Sequence, residues 1–138
     1  MPLGTLFGAV QPSPAAALAG AMGGALFEGL LVSEAYKVFA LQGRRPDLYF
    51  WRSRDGLEVD LVLRLPGGLV PIEIKLTATP TPRHLDVLDR WKALAGRAAA
   101  STGVLVCRVA QRTALPSHNL ALPWHHFPGW LSESLGEA

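Results

Sequence analysis

The spacing of hydrophobic and polar residues predicts helices and strands in a defined order along the chain. From Gly24 to Leu41, apolar residues recur at steps of three and four, as on one face of a helix. Gly43 follows at the position where glycine commonly ends a helix. Apolar residues also occupy the other side, through Val32, Ala35 and Phe39, so we expect this helix to be largely buried.

Three strands are predicted next, over 48–54, 57–65 and 69–77, because apolar and polar residues alternate there. Asp55-Gly56 is a strong two-residue hairpin signal between the first two strands. Pro66-Gly67-Gly68 provides the turn between the second and third. The pattern therefore predicts an antiparallel meander of three strands.

A second helix is predicted to begin at Thr79 or Thr81, followed by Pro82. A buried strand over 103–109, a loop over 110–121 and a short element from 122–127 complete the pattern. The inward residues of the helix are expected to be Leu85, Leu88, Trp91 and Leu94.

This order of elements indicates a mixed α/β (α+β) domain with helices packed on a sheet. We expect a loose lead-in over 1–21, the domain over 22–130 and a tail over 131–138.

Composition narrows the class of protein. A chain of 138 residues with 49% hydrophobic and 17% charged residues suits one globular domain. The single cysteine, Cys107, excludes a disulfide framework, suits a reducing cytoplasm and is predicted to be a core residue. The chain has no P-loop, so no nucleotide is expected.

The apolar run over 15–32 is long enough to suggest a membrane span. It is rich in alanine and glycine, contains Glu28 and has no basic residue before Lys37, so we expect neither a span nor a signal peptide. We therefore predict a cytoplasmic protein without a membrane partner. Ten of the thirteen basic residues are arginine, a mild bias toward anionic partners that does not establish nucleic-acid binding.

Asp60, Glu73 and Lys75 are the candidate catalytic residues. Glu73 and Lys75 share a strand face because side chains alternate. A two-residue turn at Gly67-Gly68 puts Asp60 opposite Lys75, whereas a four-residue turn puts it opposite Glu73. A three-residue turn puts Asp60 opposite Ile74 and separates the charges.

The first hairpin gives an independent constraint. With Asp55-Gly56 as its loop, Trp51 faces Asp60, and Tyr49 and Trp51 form apolar walls beside the charges. The other face is then the predicted core, made of Leu48, Phe50, Leu57, Val59, Leu61, Leu63, Ile72, Ile74 and Leu76.

Two carboxylates beside a lysine are enough to hold a divalent metal next to a phosphate. Mg²⁺ keeps several waters and needs few carboxylate anchors, and a nearby lysine can orient water or stabilise negative charge. Glu28, on an apolar helix, is the natural third acid, although a solvated carboxylate is the alternative there. An ordinary surface ion cluster explains Asp60, Glu73 and Lys75 equally well.

Other polar residues are interpreted structurally. Glu34 and Glu58 are expected to form ion pairs, and His84 to be polar surface. Adjacent His125 and His126 on a strand would point to opposite faces, which argues against a metal pair. A phosphate track or a solvated helix face are the alternatives for Arg83, Arg90 and Arg97.

The blocks GALFEGLLVSEAYK, LYFWRSRDGLEVDLVL and VPIEIKLTATPTPRHL resemble domain of unknown function 4143, found C-terminal to bacterial and archaeal AAA-type ATPases. The order of helix Glu, strand Asp and Glu-x-Lys also resembles the PD-(D/E)xK nuclease superfamily. The resemblance implies a restriction-endonuclease-like core, with Glu28, Asp60, Glu73 and the Ile74 carbonyl as ligands of Mg²⁺ or Mn²⁺ and Lys75 assisting the attack of water.

The resemblance further implies DNA, less readily RNA, as substrate and an AAA-type ATPase module as partner. The 138 residues contain no ATPase, so a truncated gene, a displaced start codon and a stand-alone domain are all open. The functional alternatives are an inactive module that binds nucleic acid or docks on an ATPase, and a degenerate fragment. The sequence leaves the oligomeric state undetermined.

Overall fold

The computed structural model describes residues 22–136, so the predicted lead-in over 1–21 lies outside the described residues. Helices and strands combine in a mixed α/β fold, as predicted. In chain order the elements are α1 (Gly23–Leu41), β1 (Leu48–Arg52), β2 (Glu58–Leu65), β3 (Gly68–Ile74), α2 (Pro82–Ala95), β4 (Val104–Cys107), β5 (Thr113–Leu115), β6 (Asn119–Pro123) and α3 (Phe127–Gly136).

One sheet in the order β1-β2-β3-β4-β6-β5 joins the six strands. The first three form the predicted antiparallel meander, whereas β3, β4 and β6 run parallel. Apolar side chains of α1 and α3 cover one face of the sheet, and those of α2 cover the other. Both faces are therefore buried, as expected where parallel strands are present.

The predicted α1 is confirmed to within one residue. Its C-terminus has the paired bonds of a Schellman motif: Arg44 N–H donates to Phe39 O, and Gly43 N–H to Ala40 O. Gly43 has φ +64°, a conformation that glycine adopts without strain. The prediction of a largely buried helix is wrong for one side, where Leu26 and Leu30 are exposed. Only the other side of α1 packs on the sheet and α3.

The second helix also begins as predicted, with Thr81 as N-cap. Thr81 has extended backbone, and its N–H donates to His84 Nδ1 at 3.2 Å, so His84 helps to cap the helix. Leu88 and Trp91 are buried, and Leu85 packs against the same core. The prediction for Leu94 is wrong: this side chain is exposed near the helix end.

The β2–β3 pair has the register expected for a four-residue turn, but its turn has two residues and lies one position earlier than Gly67-Gly68. Leu65 pairs with Gly68, so Pro66 and Gly67 are the turn residues, and Leu61 pairs with Ile72. Continuing this register by one residue places Asp60 opposite Glu73. Gly68 has φ +123°, and a Cβ there would lie only 3.0 Å from the Ala100 nitrogen.

The register of the first hairpin shifts near its turn. Tyr49 pairs with Val62 as predicted, but Trp51 pairs with Val59 and not with Asp60. The extra residue on β2 makes a β-bulge, in which Asp60 and Leu61 together oppose Phe50.

The bulge also divides the predicted core. Leu61 and Leu63 pack beneath α1, whereas Leu57 and Val59 pack around Trp91 of α2 on the opposite face. Phe50, predicted as core, is 64% exposed. A bulge reverses the alternation of faces along a strand, which is why the single continuous core face was wrong.

The C-terminal part differs most from prediction. Residues expected as a loop over 110–121 include β5 and most of β6, and β6 extends the parallel sheet beside β4. His125 and His126 lie in a 3₁₀ turn and not on a strand. Residues 131–136 of the expected tail belong to α3, and Leu131 and Leu135 are buried.

A buried polar network joins α2 to the starts of β4 and β6. The side-chain oxygen of Asn119 accepts bonds from Lys92 Nζ at 2.8 Å and from Gly103 N–H at 3.2 Å. Its amide nitrogen donates to Asp89 and to the Pro116 carbonyl. Asn119 is only 3% exposed, and each of its polar atoms is satisfied.

Within residues 22–136, no helix combines the length and the apolar character that crossing a bilayer requires.

Candidate functional site

Asp60 and Glu73 are joined where β2 and β3 separate. The backbone N–H of Asp60 donates to Glu73 Oε1 at 3.2 Å, and Ile74 N–H donates to Asp60 Oδ2 at 2.8 Å. Carboxylates therefore replace the backbone acceptors that a continued ladder would supply. This exchange holds the two acidic groups side by side at the end of the β2–β3 pair.

Lys75 completes the group. Its Nζ lies 3.4 Å from Glu73 Oε2. The Glu73 side chain is almost fully buried, whereas that of Lys75 is 41% exposed. The lysine thus reaches from the buried acid toward solvent, where a ligand can meet it.

The surroundings of Glu73 supply less positive charge than a buried carboxylate needs to stay ionised. Burial, together with the nearby charge of Asp60, raises the pKa of Glu73 to about 7, although Lys75 and the Asp60 N–H oppose this rise. A buried carboxylate is costly unless it is paired, protonated or bound to a cation.

Lys75 itself is held in its charged form. Burial acts to lower the pKa of Lys75, but the charges of Glu73, Asp60 and Glu28 outweigh burial and raise it. At neutral pH this side chain is therefore an ammonium group that stabilises negative charge and does not accept a proton.

The bulge places Asp60 between two openings of the surface. The first, which we name the Glu28 cleft, has a volume of about 220 Å³, and the second, the Lys75 cleft, of about 330 Å³. Asp60 and Glu58 line both. The Glu28 cleft is otherwise lined by Glu28, Phe50, Trp51, Arg52 and Val59, and the Lys75 cleft by Asp55, Gly56, Leu57, Glu73, Lys75, Val87 and Arg90.

Glu28 faces Asp60 across the first cleft. Partial burial raises the pKa of Glu28, and the charges of Asp60 and Glu58 act in the same direction while Lys75 acts against them. Within residues 22–136, however, no three His, Cys, Asp or Glu side chains already stand at metal-binding spacing. Glu28 is thus near the acidic pair without closing a three-acid cluster.

The Ile74 backbone lies at the same edge as Asp60. Lys75 N–H donates to Val106 O on β4, and successive residues of a strand direct their backbone groups to opposite edges. The Ile74 N–H and carbonyl consequently point to the β2 side, where the N–H meets Asp60 Oδ2.

The remaining candidates fall outside this group or at its rim. Glu34 pairs with Lys37, and Glu58 pairs with Arg52, as predicted. For Arg83, Arg90 and Arg97 the alternatives were a phosphate track and a solvated helix face; of the three, Arg90 lines the Lys75 cleft.

A family model described as "Domain of unknown function (DUF4143)" matches residues 23–127, which is most of the chain. The chain belongs to this family. A search of curated proteins found no match.

The matched span of the DUF4143 domain begins at α1 and ends at the start of α3, so it contains the acidic pair, Lys75 and both clefts. Two features of the site were not predicted from the sequence. Phe50 was assigned to the core, and the Asp60–Leu61 bulge has no signal in an alternating strand such as LEVDLVLRL. In the sequence, the bulge is indicated only by its closeness to the Asp55-Gly56 turn.

Proposed function

We propose that this DUF4143 domain is a metal-dependent phosphodiesterase that hydrolyses DNA. The observation that carries the proposal is the interlocked pair of Asp60 and Glu73 with Lys75 at 3.4 Å, opening into a cleft that Arg90 also lines. Acids that bind a cation, beside basic groups that attract a phosphate, form the charge pattern that phosphodiester hydrolysis requires.

The donor set suits Mg²⁺ or Mn²⁺. The ligands offered are carboxylate oxygens, which hard divalent cations prefer, and no cysteine is among the residues that line the Lys75 cleft. Burial beside Asp60 raises the pKa of Glu73, and the same surroundings favour added positive charge at the pair. Asp60 and Glu73 would hold the ion, the Ile74 carbonyl lies at the same edge, and Glu28 would contribute through the adjoining cleft.

A bound metal of this kind polarises the phosphoryl oxygen and acidifies a water ligand. The residues of the chain have separate tasks. The Lys75 ammonium stabilises the negative charge that develops on the phosphoryl group, and Arg90 attracts the phosphate into the cleft. The hydrogen bonds from Asp60 N–H to Glu73 and from Ile74 N–H to Asp60 hold both acids in place before any ligand arrives.

Resemblance to the PD-(D/E)xK superfamily supports the same assignment. Its pattern of helix Glu, strand Asp and Glu-x-Lys corresponds to Glu28, Asp60, Glu73 and Lys75, which here flank two adjoining clefts. We further propose that the domain works with an AAA-type ATPase module, the setting in which its close relatives are found.

Cleavage of supercoiled and single-stranded DNA with Mn²⁺ or Mg²⁺ tests the proposal. We expect metal-dependent cutting by the wild type and its loss in Asp60→Asn and Lys75→Ala. Two exposed controls outside both clefts, Glu133→Gln on α3 and Lys37→Ala on α1, should cut like the wild type.

Equal cutting by Asp60→Asn and the wild type would show that the assigned site is wrong. If a well-folded wild type does not cut but binds DNA in a salt-sensitive, metal-independent manner, the domain is a binding module instead.

A further inference from the structure

The aromatic side chain of Phe50 lies outside the hydrophobic clusters of the described residues. It lies on β1, the edge strand of the sheet within residues 22–136, and is 64% exposed. Leu48 of the same strand is buried, and Trp51 packs edge-to-face on Trp91. Most of the Phe50 ring is therefore available for contact with a ligand.

The register places Phe50 beside the acidic pair. Because β2 has its bulge there, Asp60 and Leu61 both oppose Phe50. Phe50 and Asp60 also line the same cleft, together with Trp51 and Arg52. An aromatic surface, an arginine and a proposed metal ligand therefore share one opening of about 220 Å³.

We infer that Phe50 stacks against an unpaired base of single-stranded DNA, and that this contact sets the substrate as single-stranded and not duplex DNA. The inference rests on the proposed function. Bases inside a duplex are stacked on one another and hide their faces, whereas an unpaired base can stack on an exposed aromatic ring. Stacking tolerates any sequence because every base has a π-face.

The two clefts give the strand a path. Both contain Asp60, so a strand whose base stacks in the Glu28 cleft can place a neighbouring phosphate in the Lys75 cleft. There Lys75 and Arg90 supply positive charge. Arg52 pairs with Glu58 at the rim of the first cleft, and Arg90 pairs with Asp86. Both ion pairs are exposed and therefore weak, so either arginine is available to a phosphate of the strand.

DNA binding without metal tests this inference independently of cleavage. We would measure fluorescence anisotropy of a labelled twelve-residue oligothymidine and of a duplex of equal length, both in EDTA. We expect the wild type to prefer the single strand, and Phe50→Ala to weaken that binding roughly ten-fold. Phe50→Trp should retain it, and Leu41→Ala, an exposed residue at the end of α1, should bind like the wild type.

Three results would overturn the inference: equal binding of both DNA forms, no binding at all, or no effect of Phe50→Ala. Sedimentation tests a fourth result. If the wild type is a dimer and Phe50→Ala is a monomer, the β1 edge is a contact between two copies of the chain. Cutting of duplex and single strand at equal rates would leave the proposed function standing while removing this inference. Phe50-dependent binding without cutting would support the stacking contact and contradict the proposed function.

Discussion

Glu73 Oε1 accepts a hydrogen bond from the Asp60 backbone N–H at 3.2 Å, so each acid of the pair is tied to the other's strand. The two carboxylates are thereby held close despite their repulsion. This arrangement buries Glu73, which is only 2% exposed, and removing its carboxylate from water costs free energy. Protonation of Glu73 or a bound cation relieves that cost.

The stability of the metal-free protein should fall as pH rises from about 5 to about 7. The pKa of Glu73 is about 7 in the folded protein, above its ordinary 4.5, so the folded state binds the proton more tightly. The contribution is fully present below the ordinary pKa and is lost as pH passes the folded pKa. Its upper value is about 3 kcal/mol.

Chemical denaturation in EDTA across this pH range measures the effect. Glu73→Gln should flatten the fall, because the amide is neutral throughout. The matched control Glu34→Gln, on the exposed side of α1, should keep the wild-type profile. A Glu73→Gln profile with the same fall as the wild type would assign the effect to other groups.

Asp60→Asn should weaken Mn²⁺ binding by more than roughly ten-fold, since even groups that only orient metal ligands contribute that much. Asn retains an oxygen for the Ile74 N–H, so the fold should survive. Glu28→Gln should have a smaller effect because Glu28 does not close a three-acid cluster among the described residues. Titration calorimetry measures the Mn²⁺ affinity of both variants. A larger loss of affinity in Glu28→Gln than in Asp60→Asn would contradict this ranking.

Lys75→Ala should lower the rate of DNA cleavage by roughly 10²–10³ while leaving Mn²⁺ binding intact or stronger. The ammonium stabilises charge on the reacting phosphate but repels a metal ion beside Glu73. Single-turnover cleavage and calorimetry on the same preparations separate the two effects. Lost metal binding in this variant would mean that Lys75 holds the site together instead.

Asn119→Ala should reduce the free energy of unfolding by about 2–3 kcal/mol. The change leaves Lys92 Nζ and the Gly103 N–H without their shared acceptor in a buried region. Urea denaturation measures the loss, with the exposed Gln111→Ala as control. A loss below about 0.5 kcal/mol would show that water replaces the amide.

Leu131→Ala should cost about 2–5 kcal/mol, as for other buried leucines. Leu41→Ala, 87% exposed, should remain within about 0.5 kcal/mol of the wild type. Thermal or urea unfolding distinguishes them. Equal stability of both variants would contradict the packing of α3 on α1.

The sequence by itself determined the local elements of the first two thirds of the domain. The three- and four-residue period of α1, the αL glycine Gly43 and the Thr81-Pro82 start of α2 are signals that local sterics and hydrogen bonds impose. Strand alternation likewise determined that Glu73 and Lys75 share a face. Such features depend on neighbours within a few residues, so one sequence suffices to predict them.

Tertiary structure decided where these residues meet. The β2 bulge paired Trp51 with Val59 in place of Asp60 and left Phe50 exposed, and the β2–β3 register was one of three that the turn residues allowed. The strand β6 exists because it pairs with β4, a partner that its own five residues do not specify. Pairing and bulges are governed by contacts between segments distant in sequence, and a short-range pattern contains no record of those contacts.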